Sequence, residues 1–220
     1  MCGRFALTSP PEAVRAYFRF LEQPNFPPRY NVAPTQPIAL VTARPDGRHF
    51  MLARWGFLPG FVKDVKKFPL LLNARAETIA EKPSFRAALR RRRCLVPADG
   101  WYEWRANLSG PKTPFLFSRA GGGLLAFAGL WETFLDPSGS EIDTACIVTT
   151  SANGATAAIH DRMPAIIEPE HFDAWLNPDE TVAAPLSLLR PAPDESIVFH
   201  AISTRINRAD AEGEDLQAAV

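Results

Sequence analysis

The chain predicts an α+β fold: a single domain with a mostly antiparallel, curved or barrel-like β-sheet and peripheral helices. Three features carry this reading. Twenty-one prolines are scattered through the 220 residues and cut the chain into short elements. Between residues 95 and 150, short apolar or alternating runs are separated by Gly, Pro and Asp, the pattern of strands and turns. Helical spacing is confined to a few isolated stretches, and neither an internal repeat nor a linker divides the chain.

The elements follow in order. Ser9 reads as the N-cap of a helix running to residue 21: Pro10 and Pro11 open it, Glu12 lies in its first turn, and Val14, Tyr17, Phe18 and Leu21 recur at helical spacing. After a proline-rich loop, residues 38–42 and 50–55 read as a hairpin about Pro45-Asp46-Gly47. Residues 84–92, behind Pro83, form a short basic helix. Strands are predicted at 95–96, 101–104, 115–117, 124–131, 145–150 and 197–202, and helices at 170–176 and 180–189. Gly121-Gly122-Gly123 lacks the Lys-Ser/Thr of a phosphate loop and reads as a turn. The domain is expected to span residues 1–208, with 209–220 as an acidic, mobile tail.

Formal charge is zero, which argues against a polyanion binder until the chain is divided. Residues 1–110 carry 18 Lys/Arg and 8 Asp/Glu, and residues 111–220 carry 6 and 16. Opposite fields of this size point towards a polyanion partner, unless folding mixes both halves on one surface. No apolar run approaches the ~20 residues of a membrane span. With no leader pattern at its start and three unpaired-looking cysteines, the protein is expected to be soluble and cytoplasmic. Cys2, Cys94 and Cys146 lack CxxC pairing, and the four histidines lack ligand spacing, so neither metal nor cofactor is expected.

Four groups of residues could carry chemistry. Removal of Met1 would leave Cys2 as an N-terminal 1,2-aminothiol, whose amine and thiol both ionise within reach of neutrality and which condenses with aldehydes. Arg4, two residues on, could favour the thiolate. In Trp101-Tyr102-Glu103-Trp104, strand alternation puts Tyr102 and Trp104 on one face and Trp101 and Glu103 on the other; a carboxylate among aromatics suits acid–base work. His160-Asp161-Arg162 places a histidine that could move protons near neutral pH. In Asn73-Ala74-Arg75, Asn73 could orient a reacting group and Arg75 hold a phosphate. Taken singly, the first three each have a bland alternative: a frayed terminus, a surface glutamate, a structural histidine. For binding, Lys82, Arg86, Arg90, Arg91, Arg92 and Arg93 form the densest basic cluster, and Trp55, Phe57, Phe61 and Phe68 are either core residues or base-stacking platforms.

In combination these segments resemble a known family. Met1-Cys2-Gly3-Arg4-Phe5, Tyr30-Asn31-Val32-Ala33-Pro34, Trp55-Gly56, Asn73-Ala74-Arg75-Ala76-Glu77, Lys82-Pro83-Ser84-Phe85-Arg86, Arg93-Cys94-Leu95-Val96-Pro97-Ala98, Gly129-Leu130-Trp131 and His160-Asp161-Arg162-Met163-Pro164 resemble, in order, the SRAP family. These SOS-response-associated peptidase-like proteins shield abasic sites in DNA. The resemblance implies a self-crosslinking protein that joins Cys2 to the ring-opened aldehyde of an abasic site in single-stranded DNA through a thiazolidine. It implies Asn73 holding the Cys2 amine or the sugar, Glu103 as general acid–base, His160 assisting ring opening, and Arg4, Arg75 and Arg162 on phosphates. Arg86, Arg90, Trp55 and Phe61 are expected to contact the strand, Phe61 standing where family members often carry tryptophan. A monomer working with replication-fork proteins is expected. Two alternatives stay open: a thiol peptidase using Cys2, Glu103 and His160, and a non-covalent reader of modified or single-stranded DNA.

Overall fold

A computed structural model of the chain describes residues 2–135 and 139–220. Its N-terminal half contains β1 (Phe5–Leu7), α1 (Pro11–Phe18), β2 (Arg29–Val32), β3 (Pro37–Arg44), β4 (Gly47–Trp55), β5 (Asn73–Arg75), α2 (Pro83–Arg91), β6 (Arg93–Ala98) and β7 (Gly100–Arg105). There follow β8 (Thr113–Arg119), β9 (Leu125–Leu135), β10 (Glu141–Ser151), α3 (Gly154–Ala157), β11 (Arg162–Pro164), α4 (Phe172–Leu176), α5 (Ala183–Ser187) and β12 (Ile197–Ala201). No helix among the described residues is long and apolar enough to cross a membrane.

Five strands close into a barrel: β3 pairs β4, β4 pairs β10, β10 pairs β9, β9 pairs β6, and β6 returns to β3. Only the β4–β10 contact in this ring is parallel, and closure leaves its strands without free edges. A second, antiparallel sheet runs in the order β12-β8-β7-β1-β2. The predicted hairpin is in place, with Thr42 opposite His49. Alternation along the barrel strands divides the core. Ala39, Val41, Leu95, Ala128 and Val148 join α1, α2 and α4, while Ile38, Leu40, Val96, Phe127 and Ile147 join Phe5, Trp101 and Phe117 of the second sheet. The second sheet is therefore packed onto the barrel.

The structure adds to the sequence reading at three points, the first a correction. The first helix ends at Phe18, because Arg19 turns into the left-handed region (φ 58°) and Leu21 N–H is taken by Arg48 O. Strands β1, β2, β5 and β11 are three or four residues long, too short to show a period in the sequence. Residues 209–220 pack on the second sheet. Leu216 is fully buried against Ala6, Tyr102, Leu116, Ile202 and Ile206; Glu212 pairs with Arg29 and accepts from Tyr30 N–H; Gln217 Nε2 donates to Tyr102 Oη at 3.2 Å. A buried leucine, an ion pair and side-chain hydrogen bonds together hold an otherwise polar tail.

The basic run also divides. Arg90 and Arg91 are exposed at the end of α2, whereas Arg93 is 3% exposed. Its guanidinium donates to the carbonyls of Leu89 and Trp175 (2.6 and 2.5 Å) and to that of Asn177, tying α2 to α4. Arg93→Ala strands the buried carbonyls of Leu89 and Trp175 and is expected to cost about 2–4 kcal/mol, against about 0.5 kcal/mol or less for Arg91→Ala. Urea unfolding of the two variants checks this; equal losses would count against it.

Candidate functional site

The pairing of β1 with β7 sets the site. Phe5 lies opposite Trp101 and Ala6 opposite Gly100, and Tyr102 N–H donates to Arg4 O at 3.0 Å. Continued toward the N-terminus, this register runs Cys2 and Gly3 alongside Glu103. A side chain at Gly100 would put its Cβ 2.4 Å from Phe117 O, so glycine is needed for β7 to lie this close to β8. Alternation holds as predicted: Tyr102 and Trp104 face the tail, and Trp101 shares the cluster that contains Cys2. Cys2 is fully buried, and Asn73 Nδ2 donates to its carbonyl at 2.9 Å. Asn73 comes from β5, laid parallel to β10 with Asn73 opposite Ile147. Its Oδ1 is buried with no hydrogen-bond partner among the described residues.

His160 arrives on the loop between β10 and β11. Ser151 pairs with Arg162, Ala152 N–H donates to Asp161 O, and Asn153 caps α3 by accepting from Thr156 N–H. Asp194 accepts from Gly154 N–H at 2.8 Å, so close that a Cβ at Gly154 would sit 2.5 Å from its Oδ2. This loop sets His160 Nε2 3.7 Å from Glu103 Oε2. Arg162 N–H donates to His160 Nδ1 at 3.0 Å, which puts the proton of the neutral ring on Nε2, toward Glu103.

Electrostatics follow from burial. Glu103 is 3% exposed, and burial, reinforced by the Asp161 charge, pushes its carboxyl from 4.5 up to about 7. Burial lowers the His160 pKa; the Asp161 carboxylate, 3.1 Å from Nδ1, opposes this without overcoming it, so the ring is neutral at neutral pH. Burial and then the Glu103 charge push the Cys2 thiol well above its ordinary range. The partly ionised thiol expected from the sequence is therefore reversed: in this environment sulfur keeps its proton until it reacts.

The predicted binding residues separate. Arg75 is exposed beside Asn73. Arg162 forms a forked ion pair with Glu77. Arg4 is turned away from the thiol, its Nη1 donating to Asn31 Oδ1 (2.7 Å) and Ile206 O (2.9 Å). It anchors β1, and buried Asn31 extends the anchor by donating to Arg208 O and Ala211 O. Trp55 is completely buried and donates to Leu72 O, so it cannot stack on a base; the indole fills the space between the barrel and Phe5. Phe61 is 59% exposed against Phe68, on a segment packed with Phe134. Phe134 faces Ile142, five residues before the partner of Asn73, roughly 16 Å along the strand. Arg86 and Arg90 are exposed on α2, which packs on β6 and β9. Both charge signs act on Glu103 and His160: Lys112 opposes Asp161 at each, and Arg162, beside His160, carries Glu77. The role of Glu77 as ion partner and the anchors Asn31, Asn153 and Asp194 were missed; only Asn31 and Glu77 lay within the family-like segments.

Known proteins share this arrangement of segments. A family profile described as SOS response associated peptidase (SRAP) matches residues 1–209. The chain belongs to this family. Abasic site processing protein YoqW of Bacillus subtilis (strain 168) is 39% identical over 211 residues, covering 94% of each chain. Abasic site processing protein YedK of Escherichia coli (strain K12) is 30% identical over 224 residues, covering 98% of each. Abasic site processing protein HMCES of Gallus gallus is 30% identical over 220 residues, 86% of this chain and 65% of that one. A crystal structure of a Bacteroides thetaiotaomicron protein superposes over the full length of both chains with a TM-score of 0.90 at 27% identity. The barrel with its attached sheet is thus the fold of this SRAP chain.

Glu103 makes the site pH-sensitive. Its carboxyl stays uncharged in the fold until about pH 7 but ionises near 4.5 when unfolded. Stability is therefore full below 4.5 and lost as pH rises through about 7, by at most about 3–4 kcal/mol. Glu103→Gln is expected to remove this loss. Denaturant unfolding at pH 5 and pH 7.5 should show a smaller difference for the variant than for the wild type; the same difference in both would refute the assignment.

Proposed function

We propose that this chain is a DNA-damage-response protein that binds single-stranded DNA and traps abasic sites, joining Cys2 to the ring-opened aldehyde as a thiazolidine. The observation that carries this reading is the buried Glu103 carboxyl, near pKa 7, alongside Cys2 and faced by His160. Its curated relatives are named as abasic site processing proteins, which gives the aldehyde.

The chemistry begins once Met1 has been removed and Cys2 carries a free amine. Asn73 holds the Cys2 carbonyl and so fixes the direction of that amine. The amine adds to the aldehyde carbon, giving a carbinolamine. Protonated Glu103 gives its proton to the carbinolamine hydroxyl, which leaves as water, and an iminium remains beside the carboxylate. The thiol then passes its proton to that carboxylate as sulfur bonds to the iminium carbon. The ring closes, and Glu103 returns to its protonated form. A carboxyl near pKa 7 suits both transfers, whereas an ordinary carboxylate would be a poor acid at neutral pH. His160, neutral and with Nε2–H toward Glu103, assists opening of the sugar hemiacetal.

Arg75 and Arg162 are the phosphate contacts of this reading, with Arg86, Arg90 and Phe61 reaching more distant nucleotides. A single strand can be splayed over such a site, whereas a duplex keeps its bases stacked. All four chemical residues come from one chain, so the reaction needs no second copy, and work at the replication fork with proteins found there fits a lesion-shielding role.

Purified protein incubated with abasic single-stranded, junction and duplex DNA should give a heat-stable crosslink on denaturing gels, strongest with single strands. Cys2→Ala should abolish it. Cys2→Ser keeps the amine, so a borohydride-trapped imine should persist while the stable adduct disappears. An undiminished crosslink in Cys2→Ala, or intact mass showing that Met1 is retained on the active protein, would sink the proposal.

A further inference from the structure

Arg162 is already holding an anion. Its Nη1 and Nη2 donate to Glu77 Oε1 and Oε2 at 2.7 and 2.9 Å, a two-pronged pair in the geometry that guanidinium also makes with a phosphodiester. The same Nη2 donates to Thr149 O at 2.7 Å, and Ala76 N–H donates to that oxygen at 2.9 Å, so the turn carrying Glu77 and the strand carrying Arg162 are both pinned to β10. The side edge of the guanidinium is closed, since Nε is buried and lacks a hydrogen-bond partner among the described residues. Arg162 is 12% exposed and Glu77 49%. The outward edge of Arg162 is the one that Glu77 occupies, and a second anion cannot take the fork while the carboxylate stays.

We propose that Glu77 is a carboxylate placeholder for a DNA phosphate: in the free protein it occupies the Arg162 fork, and a strand engages Arg162 only by displacing it. The inference rests on the DNA reading above and deepens it, by assigning a residue that sets how selectively the site accepts a polyanion. In the free state the pair holds Arg162 neutralised beside the His160 loop. Stray phosphates must break the pair to bind, whereas a strand held by further contacts, such as Arg75, can meet that cost. Displacement is feasible because Glu77 is half-exposed and can swing into water.

Single-turnover crosslinking to an abasic single-stranded oligonucleotide, measured against protein concentration, tests it. Glu77→Gln should lower the half-saturating concentration roughly two- to fivefold, the worth of a partly exposed ion pair, with the limiting rate unchanged. Glu77→Asp keeps the charge but cannot span the fork and should fall between. Arg162→Ala should raise the half-saturating concentration, and Glu81→Gln, which removes an exposed carboxylate four residues on, should leave it unchanged. No tightening in Glu77→Gln, an equal gain in Glu81→Gln, or a lower limiting rate would overturn the placeholder; the last would make Glu77 an orienting residue for the His160 loop. Wild-type protein that neither binds nor crosslinks DNA overturns the functional reading and this inference together. Normal wild-type crosslinking with an unresponsive Glu77→Gln overturns the inference alone.

Discussion

Strand β10 is the constraint on which the rest of the structure depends. Along one edge it pairs first with β9 (Glu141 to Ile147) and then with β11 (Thr149 to Ser151). Along the other it pairs first with β4 (Thr144 and Ala145) and then with β5 (Ile147 to Thr149). The first half of the strand closes the barrel; the second half holds the segments that carry Asn73 and Arg162 and starts the loop that carries His160. Residues 144–150 are all buried and alternate between the two halves of the core, so a shift by one position would swap the two sets and misplace the site with them.

The second sheet supplies what β10 cannot: the chain's start and its acid. Strand β1 is three residues long and would have little stability alone. It is kept in register by β7 on one side and β2 on the other, and by Arg4 reaching through Asn31 to the carbonyls of the C-terminal segment. Leu216 seals the far face of β7 over Tyr102, which leaves Glu103 on the sealed inner face. A carboxylate in that position is expensive in its charged form. The fold therefore keeps Glu103 protonated until near neutrality, and the same desolvation keeps the Cys2 thiol protonated.

Much of this was legible in the sequence because it is local. The hairpin about Pro45-Asp46-Gly47, the strands of residues 93–151 and the alternation through Trp101-Tyr102-Glu103-Trp104 each depend on near neighbours with a period of two. The ordered motifs likewise marked Cys2, Asn73, Glu103 and His160, and the structure brings all four together from segments up to about 160 residues apart. Runs of like residues were less informative. The arginines at 90–93 look equivalent in sequence, yet Arg90 and Arg91 face water, Arg92 lies over the Trp131 ring and pairs with Glu132, and Arg93 is a buried brace.

By itself the sequence determined the class of fold, the family and the residues that converge, since these follow from pattern and motif. Tertiary structure alone decided the state of those residues: Trp55 sealed inside rather than offered to a base, Arg4 turned into an anchor, Arg162 paired to Glu77, the acidic tail docked, and opposite charges (Lys112 and Asp161) both acting on Glu103 and His160. The reason is physical. Burial, hydrogen-bond partners and the resulting pKa shifts depend on which distant segments pack against a side chain, and interleaving of the two halves through β10 mixes what the linear count kept apart.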